Sequence, residues 1–259
     1  MRHRRVKSNA RKSSLVTLFL LLAGSAAADV LEGKSANVFE QMKRRLPLAQ
    51  NERMIASVEC VAYSIVAILG EETSQQKWEV AVFEDPSINA FALAGGKIGV
   101  HTGIFQVATN QDALAAVLGH EIAHVTEHHV GKRIAREALT DIGVVALAIL
   151  VPGAAGTSQA VADAASLGAE LGLNKPYDRK SEMDADLKGL TYMARAGFDP
   201  RETVDLWRAM EKLNKDAIPE FLSTHPSNDN RSARLIEALP EAIVEYEKAR
   251  AAGRKPDCE

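Results

Sequence analysis

The chain has no apolar run long enough to cross a bilayer comfortably. Leu15 to Ala23 gives nine residues and IGVVALAILV at 142–151 gives ten, against the roughly 20 that a spanning helix needs. Cysteine is almost absent. Neither Cys60 nor Cys258 has a Cys or His partner at ligand spacing, which argues against a thiolate metal site. In an oxidising compartment the two can bridge, closing a loop of about 200 residues worth at most about 5 kcal/mol in the chain-entropy model. Two unrelated thiols, one buried in a helix and one on a frayed end, fit the sequence equally well. Internal repeats are also missing, and no tetratricopeptide-type array follows the core.

Basic clusters occur only at the start. Arg2, Arg4, Arg5, Lys7, Arg11 and Lys12 precede the nine-residue apolar stretch, and Ser25-Ala26-Ala27-Ala28 offers small residues for a cut before Asp29. This is the pattern of a secretory signal peptide, with an uncleaved anchor as the weaker alternative. Losing those six charges takes the formal net charge from −3 to −9. So acidic a remainder argues against nucleic acid or anionic lipid as a partner. Residues 29–259 are expected to form one domain, with its core at about 50–240.

Periodicity predicts helices over 35–70, broken near Pro47, with Ile55, Val58, Val61, Ile65 and Ile68 on the buried side. Trp78–Phe83 and Lys97–Thr102 read as strands, separated by a small apolar stretch at 89–94 and a Gly95-Gly96 turn. Later helices are expected from Lys180 to Ala196, ended by Gly197, after Asp199-Pro200, and in pieces to Ala251. The segment 153–175, rich in Ala, Gly and Ser, reads as a small-residue hairpin or a cover over a cleft. The fold class is α+β, predominantly helical, with a small sheet.

The chemistry concentrates in His120-Glu121-Ile122-Ala123-His124. On a helix, positions i and i+4 share a face, so His120 and His124 can hold one ion, and Glu121 can take a proton from an attacking water. Zn²⁺ accepts such ligands in a tetrahedral shell. Thr109 and Asp112 read as the helix start, and Leu114, Val117, Leu118, Ile122 and Val125 as its one buried stripe. No proline interrupts 109–137. Gly119 leaves room for another backbone or a substrate to approach.

A third ligand must come from elsewhere. Glu127 and Val130 stand where metzincins need Gly and His, which excludes that class. His128 and His129 lie too far along to reach the ion; they read as exposed residues or as supports behind the ligands. Glu182 can complete a His₂Glu set, with Asp186 one turn on to accept a histidine N–H. A solvated acidic face made by Glu182, Asp184 and Asp186 fits the spacing equally. Thr224-His225-Pro226 by itself reads as a loop before a helix.

HEIAHV together with EMDAD, NAFALAGGKIGVHTGI at 89–104 and THPSNDNR at 224–231 resembles metallopeptidase family forty-eight, the gluzincins that include HtpX-like and CAAX-prenyl proteases. The resemblance implies a zincin-like domain in which Glu182 is the third ligand and Asp186 its support. It implies that His225 lies near the zinc, either donating to an oxyanion or closing the site as a fourth ligand. Arg231 would hold that loop by pairing with a carboxylate, or stand as a solvated surface residue. The family's multi-pass membrane segments are not found, which points to a soluble, secreted branch. The resulting expectation is a periplasmic endopeptidase with one Zn²⁺ per chain, acting on unfolded or misassembled envelope proteins. The strand at 97–102 would serve as the edge that pairs with substrate. The alternative is a chaperone-like binding factor whose zinc site is latent.

Overall fold

A computed structural model describes residues 29–74, 76–136, 176–213, 220–226 and 231–259. The expected leader at 1–28, the apolar run 142–151 and the segment 153–175 lie outside the described residues. Among the described residues no helix is long and apolar enough to cross a membrane.

Helices α1 at 29–45 and α2 at Glu52–Val66, with Pro47 between them, precede the sheet, and a single helical turn at Glu71–Ser74 follows α2. Asn51 caps α2 by accepting from the Met54 N–H at 3.2 Å. Val58, Val61 and Ile65 are fully buried, and Ile55 and Ile68 half-buried.

The sheet has three strands, β1 (Glu79–Phe83), β2 (Ala90–Leu93) and β3 (Lys97–His101), in the order β1-β3-β2. β1 runs parallel to β3 and β2 antiparallel to it. The expectation that the 97–102 strand forms an edge is therefore wrong, because β3 is central and paired on both sides. The stretch at 89–94 supplies the missing neighbour. Alanine is a weak strand former, yet Ala90 and Ala92 pack into the main core with the helix behind them, where the space is narrow. Gly95 and Gly96, with φ of 76° and 75°, turn the hairpin. On the opposite face, Phe83 and Leu93 pack against Val38 and Phe39 of α1.

Helix α3 (Gln111–Thr126) carries the HEIAH pentapeptide. Its cap is Asn110 rather than Thr109: the Asn110 side chain accepts from the Ala113 N–H at 2.8 Å. Asp112 instead accepts from the Asp199 N–H at 2.8 Å. Every residue from Ala113 to Val125 is buried, so the helix is enclosed all round and not along one stripe. It does not continue to 137. Glu127 caps it, His128 takes a left-handed φ of 54°, and a helical segment follows at 129–136.

Helix α4 (Arg179–Ala196) starts on Asp178, which accepts from the Lys180 and Ser181 N–H groups, and stops at Gly197, φ 98°. It crosses α3 where two glycines meet. A Cβ on Gly119 would sit 2.8 Å from the Gly189 carbonyl oxygen, and one on Gly189 would sit 2.7 Å from the His120 nitrogen. The close neighbour of Gly119 is thus another backbone. Helix α5 (Glu202–Leu213) begins two residues after Pro200. Helix α6 (Arg231–Ala251) runs through Pro240 and ends at Ala251, where the last helical piece was expected to end. That proline lies in an exposed stretch, where water can take up the freed carbonyl. Cys60 of α2 and Cys258 are joined by a disulfide, and the Cys258 N–H reaches Gln111 Oε1 at 2.9 Å. The architecture is a mainly helical α+β fold with the sheet beside the helix that carries the motif.

Candidate metal centre

The α3–α4 crossing brings His120 and His124 against Glu182, and the chain after the short helix Glu220–Thr224 adds His225. The four buried side chains can together hold a metal ion: each offers one ligand atom, all within 4.8 Å of one another. His120 Nε2 lies 3.0 Å from His124 Nε2 and 3.1 Å from His225 Nδ1. Glu182 Oε1 lies 3.0 Å from His225 Nδ1 and 3.4 Å from His124 Nε2. A tetrahedral shell with ligands at about 2.0–2.1 Å has edges of about 3.3–3.4 Å, so this set matches a small divalent ion.

The ligand atoms are braced from behind. Asp186 Oδ1 lies 3.0 Å from His120 Nδ1. His129 Nδ1 lies 3.2 Å from His124 Nδ1. Tyr177 stacks on His124 at 3.9 Å, and Phe221 stacks on His225 at 4.5 Å. Arg231 donates to Asp186 Oδ1 at 2.6 Å and to the His225 carbonyl at 3.3 Å, lies 3.2 Å from Glu182 Oε2, and rests on the Trp207 ring. A solvated acidic face is excluded, because Glu182 and Asp186 are both buried. Arg231 is buried as well and pairs with carboxylates, while His128 is exposed and His129 is 1% exposed.

Glu121 sits on the other side of His225, whose Nε2 lies 3.2 Å from Glu121 Oε1. Among the described residues that oxygen accepts no hydrogen bond. Burial pushes the Glu121 carboxyl above the usual carboxylate range, against the pull of His225 and His120. Burial would raise Glu182 too, but His225, His124 and His120 outweigh it and hold that group well below its ordinary value. Burial pushes His124 well down. It opposes charge on His225 as well, where Glu182 and Glu121 prevail and raise the pKa. The Ala92 N–H of β2 also bonds to Glu121, so the outer edge of β2 faces this carboxylate. A cleft of about 190 Å³ opens there, between Phe91 and Ala92 on one side and Met42 and Leu46 of the α1 region on another.

Sequence reasoning found the residues that converge and missed the rings that frame them. Tyr177 precedes a helix cap and carries no pattern of its own. Phe221 and Trp207 sit in apolar helical runs that read simply as core. Only their contacts with imidazole and guanidinium set them apart.

The sequence is 37% identical over 185 residues to the mitochondrial metalloendopeptidase OMA1 of Schizosaccharomyces pombe, covering 71% of this chain and 52% of that one. It is 35% identical over 177 residues to the human mitochondrial metalloendopeptidase OMA1, covering 66% of this chain and 34% of the relative. The beta-barrel assembly-enhancing protease of Yersinia pestis is 27% identical over 197 residues, covering 74% of this chain and 40% of the relative. The chain thus spans about a third to about half of the length of these relatives. A sequence profile for peptidase family M48 matches residues 49–239, an interval that holds the motif helix, Glu182, His225 and Arg231. On this match and this geometry, the chain belongs to peptidase family M48.

Proposed function

We propose that the protein is a zinc-dependent endopeptidase that cleaves unfolded or misassembled polypeptides of the cell envelope. The observation that carries this reading is the convergence of His120, His124 and Glu182 beside a buried Glu121 with an unsatisfied oxygen. In this reading those three residues hold one zinc ion, and Asp186 fixes the ring of His120. Zinc bound there supplies Lewis acidity, polarising the scissile carbonyl and lowering the pKa of water toward neutrality. Glu121 takes the proton of the attacking water and returns it to the leaving amine.

Substrate class follows from β2. Its outer edge, marked by the Ala92 N–H turned toward Glu121, offers main-chain pairing to any extended chain with little demand on side chains. The disulfide favours an oxidising compartment and, with the leader pattern of 1–28, supports the periplasm. The Yersinia relative, a beta-barrel assembly-enhancing protease, supports envelope proteins as substrates.

His225 favours a closed resting site. Its Nδ1 fills the fourth corner while its Nε2 faces Glu121, so it stands where a substrate carbonyl must enter. Once displaced, it is placed to donate to the oxyanion. Casein cleavage with and without chelator tests the whole reading. Glu121→Gln should keep the metal and lose at least about 100-fold in rate; a wild-type rate in that variant overturns the mechanism. His225→Ala separates its two roles: cleavage rises if the ring only closes the site, and falls if the ring donates to the oxyanion. If neither form cleaves while client folding still depends on the protein, the chaperone-like reading replaces this one.

A further inference from the structure

We infer that His129 is the positioning residue for His124, and that the left-handed turn at His128 is what delivers it. The inference rests on the zinc reading of the site. In an unbroken helix a residue five positions on lies about 140° around the axis, so His129 would point away from His124. The chain breaks the helix instead. Thr126 ends α3, Glu127 caps it, and His128 adopts a φ of 54°, a left-handed conformation uncommon for residues other than glycine. The helical segment then restarts with His129 Nδ1 3.2 Å from His124 Nδ1, the two rings edge to face at 5.1 Å.

The contact fixes a tautomer. His124 turns Nε2 toward the other ligand atoms, 3.0 Å from His120 Nε2 and 3.4 Å from Glu182 Oε1. A ring that gives Nε2 to a metal keeps its proton on Nδ1. That proton needs an acceptor, which is the bare Nδ1 of His129, and His129 then carries its own proton on Nε2. His120 solves the same problem with a carboxylate, Asp186 Oδ1 at 3.0 Å. A neutral imidazole behind His124 orients the ring without adding another buried negative charge. Tyr177 stacks on His124 at 3.9 Å, so the ring is clamped at its face and at its edge.

The test is zinc affinity, measured by titrating metal-free protein against a competing chelator, with circular dichroism as the check on folding. In His129→Asn the amide oxygen can take the place of the imidazole Nδ1, and that variant should bind zinc within about threefold of wild type. His129→Leu keeps the bulk without the acceptor and should bind about 10- to 100-fold more weakly. Equal losses in the two variants, or no loss in His129→Leu, overturn the inference. Histidine ¹⁵N spectra of the zinc-loaded wild type test it without any variant: His129 should carry its proton on Nε2, and a proton on its Nδ1 overturns the assignment. A wild-type chain that binds no zinc overturns the site reading and this inference together. A wild type that binds zinc alongside an equally tight Leu variant overturns this inference alone.

Discussion

Replacing Gly189 with alanine should loosen the metal site without altering any ligand. An added Cβ would lie 2.7 Å from the His120 nitrogen, 2.8 Å from the Gly119 carbonyl carbon and 2.9 Å from the His120 Cα. All three are backbone atoms that cannot rotate away. Reaching an ordinary contact of about 3.5 Å requires α3 and α4 to separate by about 0.6–0.8 Å. In an open helix, glycine to alanine gains up to about 1 kcal/mol. Here overpacking of about 1–3 kcal/mol opposes that gain, so the net effect is a loss of up to about 2 kcal/mol. The same separation pulls Glu182 away from His120 and His124, which it now approaches at 3.6 and 3.4 Å. A displacement near 1 Å can cost about 100-fold in rate. Urea unfolding of the metal-free protein and a zinc titration read the two effects separately. Gly33→Ala in α1 is the control, since nothing lies within 4 Å of its added Cβ, and it should gain about 0.5–1 kcal/mol. A Gly189→Ala protein as stable as wild type, with unchanged zinc affinity, refutes the reasoning.

Arg231→Ala should destabilise the fold by about 3–5 kcal/mol in urea unfolding, because Asp186 and Glu182 would keep buried charge without their cation. Reduction of Cys60–Cys258 should lower stability by up to about 5 kcal/mol, given its separation of 198 residues, with a drop in melting temperature under reductant as the readout. Asn110→Ala should cost about 1 kcal/mol of thermal stability through the lost cap, and Thr109→Ala much less.

Family, fold class and the convergence of the ligand-type residues were legible because each rests on local chemistry. The i, i+4 spacing places two imidazoles together on any helix, and Gly197 ends α4 by its backbone freedom alone. Features decided by tertiary contact were hidden. Two of the four residues of β2, Ala90 and Ala92, are alanines that carry no strand signature and pack toward α3. With 89–94 read only as a small apolar stretch, β3 looked like an edge. The cap at Asn110 was masked by Thr109, another capping residue type one position away. His128 concealed the end of α3, since nothing in its chemistry announces a left-handed conformation. The disulfide was open in the sequence because loop length sets the stabilisation a bridge provides but not whether two sulfurs meet.

Arg231 has a consequence for which ions the site can tolerate. The carboxylates in ion-pair contact with the three imidazoles are Glu121, Glu182 and Asp186, and Arg231 is the cation paired with two of them. With the imidazoles neutral and the three carboxylates ionised, these four charges sum to minus two, which a doubly charged ion would balance. A singly or triply charged one would leave a net charge among them, at several kcal/mol. Arg231 would thus bear on the charge of the ion without touching it.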